Sequence, residues 1–214
     1  MDEAGRGPVV GPLVVGLAAC EDPSEVAALG VRDSKLLSAR RREGLYHEIR
    51  NVCRTESVAV SARELDRRMD EVTLNQVELE VFALLARRVP SDAYYLDACD
   101  VDAERFGREF ARLSGCDARR VVSEHRADAT YPLVSAASII AKVERDRAIA
   151  QIAERLEPLV GLPLGSGYAH DETTRVFLER HLERFGALPE EARAAWATSR
   201  TLIASRSQRQ LEGL

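Results

Sequence analysis

The sequence predicts an α/β fold in which helices flank a sheet, followed by a helical C-terminal segment. Short apolar runs bounded by turn residues alternate with segments of helical periodicity as far as residue 160, and this alternation is typical of α/β sheets. Beyond the glycine-rich break at residues 161–167 only helical patterns follow. We therefore expect a main domain at residues 1–160 and a helical segment with a tail at residues 161–214.

Apolar runs locate the strands. The clearest covers residues 13–20, which are almost wholly apolar and follow a loop or bulge punctuated by Gly11 and Pro12. Three further strands are expected at residues 56–61, 93–96 and 120–123.

Periodicity and capping residues locate the helices. A helix over residues 33–53 begins with Asp33 or Ser34 as N-cap, and the next begins at Thr73 and stops before Pro90. The strongest helical pattern covers residues 131–157, with Pro132 acceptable in the first turn. The remaining helices are expected at residues 103–114, 172–185 and 189–206.

Composition describes a globular protein. Apolar residues make up 45% of the 214 positions and charged residues 30%, and no run reaches the roughly 20 apolar residues that span a bilayer. Nothing resembles a signal peptide, so we expect a cytoplasmic protein without membrane contacts. The net charge of −5 does not favour nonspecific binding to nucleic acid.

Two kinds of site find no support in the spacing of reactive residues. The cysteines, at positions 20, 53, 99 and 116, form no C-x-x-C pair, so buried thiols are expected rather than zinc or disulfides. There is no G-x-S-x-G motif, and the four histidines lie at no recognised spacing for nucleophilic catalysis.

Four acidic residues stand where a metal site can form. Asp2 and Glu3 precede a Gly-Arg-Gly-Pro turn, Asp97 ends a strand, and Asp128 lies in a loop before the long helix. Sites in open α/β sheets gather at loops that follow strands. Mg²⁺ and Mn²⁺ prefer carboxylate oxygens, and two such ions about 4 Å apart promote phosphodiester hydrolysis. Among thirty-five acids, however, solvation, helix capping or a frayed terminus is the better explanation for each one taken singly, and spacing alone does not change that.

Six motifs occur in a fixed order up to about residue 175. They are Asp-Glu-Ala-Gly-Arg-Gly-Pro at 2–8, Arg-Asp-Ser-Lys at 32–35, Thr-Leu-Asn at 73–75, Leu-Asp-Ala at 96–98, Ala-Asp-Ala at 127–129 followed by Pro-Leu-Val-Ser-Ala-Ala-Ser-Ile-Ile-Ala-Lys at 132–142, and Gly-Ser-Gly-Tyr at 165–168. This set resembles type 2 ribonuclease H, ribonuclease HII, particularly its archaeal form. The resemblance implies a ribonuclease H-like mixed sheet flanked by helices, with a C-terminal helical segment that grips the substrate.

The resemblance also implies a site and a reaction. The catalytic acids, which would hold two Mg²⁺ or Mn²⁺ ions, are Asp2, Glu3, Asp97 and Asp128. The Gly5-Arg6-Gly7 turn would contact the ribose 2′-hydroxyl, by which proteins distinguish RNA from DNA, and Tyr168 would stack on the next sugar. The implied reaction cuts RNA in RNA/DNA hybrids, and duplex DNA 5′ of single embedded ribonucleotides, leaving a 3′-hydroxyl and a 5′-phosphate. We expect a monomer.

Lysines and serines in the matched motifs suggest further contacts. Lys35 and Lys142 are the only lysines in the chain and suit contact with phosphate, although solvated helix positions explain them too. Ser135 and Ser138 are expected to cap or pack the long helix instead. Two other functions remain open: a different nuclease of the same superfamily, such as a junction resolvase, and a noncatalytic hybrid-binding protein.

Three features depart from the family pattern. Only Met1 precedes Asp2, so we expect Asp2 to lack a supporting strand and to lie beside a charged α-amino group that competes with metal. Ala169 stands where proline is common, which predicts a less rigid loop. The tail from Gln208 to Leu214 resembles a sliding-clamp peptide without its aromatic pair, which predicts either a weak clamp contact or a solvated tail.

Overall fold

The structure, a computed structural model, describes the backbone of residues 1–31 and 37–212, and their side chains except at positions 207 and 209–212. Lys35 and Leu214 therefore lie outside the described residues, as does the N-cap expected at Asp33 or Ser34.

Five strands form the sheets. They are β1 (Asp2–Ala4), β2 (Leu13–Ala19), β3 (Arg54–Val60), β4 (Tyr94–Asp97) and β5 (Val121–Glu124). β2 lies between β1 and β3, and it runs antiparallel to β1 with Glu3 opposite Val15. β4 and β5 pair in parallel. The four strands predicted from apolar runs are thus confirmed, whereas β1 was not predicted.

Met1 joins the two sheets side by side. Its amino group donates to Tyr95 O at 2.7 Å, and Asp97 N donates to Met1 O at 3.0 Å. Met1 thus donates to residue 95 and accepts from residue 97, which is the hydrogen-bond pattern of parallel strands. With the pairings inside each sheet, the strands follow the order β3-β2-β1-β4-β5. The expectation that Asp2 lacks a supporting strand is therefore wrong, because backbone hydrogen bonds hold this short segment from both sides.

Nine helices are present in the described part of the chain. They are α1 (Pro23–Ala28), α2 (Ala39–Val52), α3 (Ala62–Met69), α4 (Leu74–Arg88), α5 (Ala103–Ser114), α6 (Ala127–Thr130), α7 (Pro132–Val160), α8 (Glu172–Phe185) and α9 (Ala197–Glu212). Side-chain caps fix several starts: Ser38 accepts from Arg41 N, and Thr73 accepts from Gln76 N. None of these helices is long and apolar enough to cross a membrane.

Three helix predictions need correction. The helix expected from residue 33 begins at Ala39, after the Ser38 cap. Asp128 lies in the short helix α6 rather than in a loop. Residues 189–196 are not helical, because Arg193 N donates to Val9 O and a β-bridge pairs Ala192 with Val10; contacts with distant residues override local helical preference there.

The chain divides into two compact units, whose limits differ from the expected boundary at residue 160. Unit 1 contains Met1–Ala4, Val14–Ala59 and Val72–Glu144, and unit 2 contains Gly5–Leu13, Val60–Glu71 and Arg145–Leu214. In unit 1, apolar residues of α2 pack with the first half of α7, as Leu45 and Ile139 show. In unit 2, Val9 and Val10 pack with the second half of α7 and with α8. The second unit thus takes in two earlier segments of the chain.

Candidate active site

Three carboxylates come together in unit 1. Asp2 on β1, Asp97 at the end of β4 and Asp128 on α6 offer oxygen atoms that all lie within 4.8 Å of one another. The ladder between Met1 and β4 brings the first two into neighbouring positions. Asp97 Oδ1 also accepts a hydrogen bond from Ala127 N at 3.2 Å, which ties the start of α6 to the end of β4. Hence three of the four predicted acids converge.

Glu3 is not a member of this three-acid cluster. Successive side chains of a strand point to opposite faces, so adjacency to Asp2 in the sequence does not ensure convergence. Glu3 is partly buried, and its N–H donates to Asp2 Oδ1 at 2.7 Å. Its role as a fourth metal ligand stays a prediction.

Burial and charge repulsion set the electrostatics of the acid cluster. Asp2 is only 5% exposed, and burial together with the charge of Asp97 raises its pKa to about 6. The hydrogen bonds from Ser138 and from Glu3 N–H oppose that shift. Carboxylates packed this closely repel one another when ionised, and a bound divalent cation relieves such repulsion. The donor set consists of carboxylate oxygens only and therefore fits Mg²⁺ or Mn²⁺.

The α-amino group of Met1 lies beside these acids. Burial lowers its pKa to about 6, while the negative charges of Asp2, Asp97 and Glu3 act in the opposite direction. The amino group donates to Tyr95 O at 2.7 Å. Burial thus opposes the charged form of the amino group that the sequence led us to expect beside Asp2.

Ser138 is a site residue that the sequence did not identify. It is 9% exposed on α7, and its hydroxyl forms a hydrogen bond with Asp2. Ser135 behaves as expected, because its hydroxyl donates to Val31 O and so packs α7 onto the preceding chain. Lys142 lies one turn beyond Ser138 on the same side of α7 and is partly buried.

The Gly-Arg-Gly turn lies in unit 2, and its first glycine cannot be replaced without strain. Gly5 has φ +88°, and a Cβ there would lie 2.5 Å from Pro12 O and 2.9 Å from Arg145 Cδ. Arg6 is partly buried and Gly7 is exposed. The close approach at Gly5 is thus to other parts of unit 2, and the contact of this turn with a ligand stays a prediction.

Arg193, which the sequence did not identify, stabilises this turn through hydrogen bonds to its carbonyl groups. Its guanidinium donates to Gly5 O at 2.5 Å, Arg6 O at 3.0 Å and Gly11 O at 3.0 Å. The side chain is fully buried, and burial lowers its pKa to about 10, with a further contribution from the charge of Arg145. A guanidinium carries five N–H donors in a rigid planar arrangement, so this one side chain can bond all three carbonyl groups.

Tyr168 stands on a loop bonded to the chain that follows the turn. Gly167 O accepts from Val9 N at 2.8 Å and from Val10 N at 3.0 Å. Asp171 accepts from both Ser166 N and Ser166 Oγ at 2.7 Å, and these bonds lower the pKa of Asp171 to about 2. Asp171 N in turn donates to Tyr168 O at 3.1 Å. This hydrogen bond closes the turn through Ala169 without the proline.

Known proteins are similar to this chain in sequence and in fold. The family model for Ribonuclease HII matches residues 1–199. Ribonuclease HII of Archaeoglobus fulgidus is 46% identical over 92% of this chain and 92% of that protein. The structure of the PCNA:RNase HII complex from Archaeoglobus fulgidus gives a TM-score of 0.82 at 48% identity, covering 91% of this chain and 92% of that one. Ribonuclease H2 from Pyrococcus horikoshii gives a TM-score of 0.89 at 35% identity over 97% of each chain. The chain therefore belongs to the ribonuclease HII family of metal-dependent endoribonucleases.

Proposed function

We propose that this protein hydrolyses RNA in RNA/DNA hybrids, and cuts duplex DNA at single embedded ribonucleotides, with Asp2, Glu3, Asp97 and Asp128 as catalytic acids. The observation that carries the proposal is the convergence of three carboxylates at positions of the family motifs. The cut lies 5′ of the ribonucleotide and leaves a 3′-hydroxyl and a 5′-phosphate.

Two divalent ions, Mg²⁺ or Mn²⁺, are the proposed cofactors, held by these acids. When bound, such ions supply Lewis acidity that activates water and stabilises the leaving oxygen of a phosphodiester. The protein contributes the fixed orientation of the ligands: Asp97 accepts from Ala127 N, and Asp2 is held by Ser138 and by Glu3 N–H. A ligand set held in this way needs little rearrangement during the reaction.

Unit 2 supplies the proposed contacts that distinguish RNA from DNA. The glycine backbone of Gly5 and Gly7, together with Arg6, would bind the ribose 2′-hydroxyl, which deoxyribose lacks. Tyr168 is partly exposed and would pack on the sugar of the following deoxynucleotide. Arg193 supports this proposal indirectly, because its three bonds to Gly5, Arg6 and Gly11 keep the turn in one conformation.

Lysine and tail contacts complete the proposal. Lys142 would contact a substrate phosphate, as would Lys35. A weak contact of the tail with a sliding clamp is also proposed, since the Archaeoglobus fulgidus relative was solved in complex with PCNA. The described backbone continues as helix α9 to Glu212 and so includes Gln208 of the clamp-like segment.

A cleavage assay with one ribonucleotide in duplex DNA tests the function. We expect one cut in Mg²⁺ or Mn²⁺, none in EDTA, and none in the matched all-DNA duplex. End analysis of the product should show a 3′-hydroxyl on the upstream fragment. Binding of the duplex without cleavage under every metal condition would instead make the protein a hybrid-binding module.

A further inference from the structure

Arg145 is a buried cation with little compensation from nearby anions. It lies on α7 and is 2% exposed. Its Nη2 donates to Ser166 O at 3.0 Å, and its Nη1 lies 3.6 Å from Asp146 Oδ1, beyond hydrogen-bond distance. Its buried Nε has no hydrogen-bond partner among the described residues. Removing a charge from water is unfavourable, so an apolar residue of similar size would stabilise this position at least as well.

The side chain of Arg145 lies close to two elements that we propose bind the substrate, the Tyr168 ring and the Gly5 turn. Its Cζ stands 4.9 Å from the centroid of the Tyr168 ring, over the ring face. A Cβ added to Gly5 would lie 2.9 Å from Arg145 Cδ and 3.1 Å from Nε. Gly167, which precedes Tyr168, approaches almost as closely, since a Cβ there would lie 3.3 Å from Nη2.

Both neighbours are shaped to accept this side chain. Gly5 and Gly167 have φ of +88° and +82°, and neither has a side chain that would displace the guanidinium. The loop carrying Tyr168 is fixed to the chain after the Gly5 turn by the two hydrogen bonds to Gly167 O. These backbone bonds do not determine the orientation of the tyrosine ring. The flat face of a guanidinium can fix the ring by a cation–π contact.

We propose that Arg145 is a positioning residue, which orients the Tyr168 ring relative to the Gly5 turn and thereby sets the preference for a ribonucleotide followed by a deoxynucleotide. The proposal rests on the function proposed above for Tyr168 and Gly5. Arg145 itself is too buried to reach the substrate, so its effect passes through the ring. Lysine at this position would keep the charge but lose the flat face and the fork of donors.

A double-mutant cycle on kcat/KM for a single embedded ribonucleotide tests this. Arg145→Lys should lower kcat/KM about tenfold, in line with a desolvated cation–π contact. In the Tyr168→Ala background the same substitution should change kcat/KM less than about twofold, because there is no ring left to orient. Arg155→Lys is the matched control, since Arg155 lies on the same helix, is exposed and pairs with Glu191; it should have no effect in either background.

Binding separates this role from a general loss of structure. With EDTA present, Arg145→Lys should raise the Kd for a ribonucleotide-containing duplex and leave the Kd for the all-DNA duplex unchanged. The Mn²⁺ concentration that gives half-maximal activity should also stay the same. Equal weakening for both duplexes, or an altered Mn²⁺ requirement, would overturn the proposal.

The outcome of the cycle distinguishes failure of the proposed function from failure of the role proposed for Arg145. If the wild-type protein does not cleave, the proposed function fails; if it cleaves and the effects of Arg145→Lys and Tyr168→Ala multiply, only the role of Arg145 fails. Circular dichroism shows beforehand at which temperatures each variant is folded. If the lysine variant unfolds, Arg145→Gln, which keeps a planar amide donor for Ser166 O, takes its place in the same cycle. Effects of Arg145→Gln and Tyr168→Ala that multiply would overturn the proposal equally.

Discussion

Replacing Arg193 by methionine is expected to lower the melting temperature markedly. Methionine fills a comparable space but leaves the carbonyl oxygens of Gly5, Arg6 and Gly11 without their donor. A buried acceptor that loses its partner costs about 1–2 kcal/mol, so three of them sum to about 4 kcal/mol. For a chain of this length each kcal/mol corresponds to about 2–4 °C, which predicts a decrease of about 8–16 °C.

The assay uses the only tryptophan of the chain. Trp196 lies with its ring 4.7 Å from the Arg193 guanidinium carbon, so its fluorescence reports on this part of unit 2. Melting curves followed by fluorescence and by circular dichroism should both shift in Arg193→Met. Arg193→Lys, which retains a charge but can serve fewer carbonyls, should lose roughly half as much stability.

Arg200→Met is the control, because Arg200 is exposed near the start of α9. It should melt within about 2 °C of the wild-type protein, as surface substitutions usually change stability by less than about 0.5 kcal/mol. If Arg193→Met also melted that close to wild type, the account of the three carbonyl bonds as a stabilising network would be refuted.

Four further predictions concern the acids, the front of the chain, the Tyr168 loop and the tail. Asp97→Asn or Asp128→Asn should reduce cleavage of a single embedded ribonucleotide at least about 100-fold, since removing one ligand from a metal site costs several kcal/mol in the transition state; near-normal rates would remove that residue from the site. Adding three to six apolar residues before Met1 should raise the melting temperature by a few degrees, because they would extend β1 along a groove of about 910 Å³ between residues 17–21 and 89–95; equal melting temperatures would contradict this. The lowered pKa of Asp171 means that its bonds to Ser166 stabilise the fold above pH about 4, by roughly 1–2 kcal/mol, and that this stabilisation is lost as the pH falls from about 4 to about 2. Asp171→Ala should lose the same stabilisation at neutral pH. In acid titrations, the stability of this variant should change less between pH about 4 and about 2 than that of the wild-type protein. Deleting residues 208–214 should abolish any weak binding to a sliding clamp in a titration, whereas unchanged affinity would exclude the tail as the contact.

Much of the fold follows from local patterns. The apolar run at residues 13–20 predicted β2, and the capping residue Thr73 with Pro90 predicted both ends of α4. The position of Asp97 at the end of a strand also follows from such a run. These signals depend only on neighbouring residues, which is why the sequence carries them.

The misses have a different cause. Residues 2–4 are too few to show the alternation of a strand, and β1 exists because β2 and β4 supply partners on both sides. Residues 189–196 carry a helical pattern, yet the backbone N–H groups of Ala194 and Ala195 donate to Asp66. Neither outcome is encoded within the segment itself.

The arginines illustrate which structural roles the composition of a chain cannot predict. The chain has 28 arginines and 2 lysines, and this bias alone supports no particular site. Among the described arginines, Arg145 and Arg193 are the fully buried ones, and both contact the Gly5 turn. Arg193 bonds residues 182 to 188 positions away, a separation at which no periodicity or capping rule applies. At these two positions the geometry of the guanidinium, and not its charge alone, is what the fold requires, so Arg→Lys there should be far more harmful than at any exposed arginine.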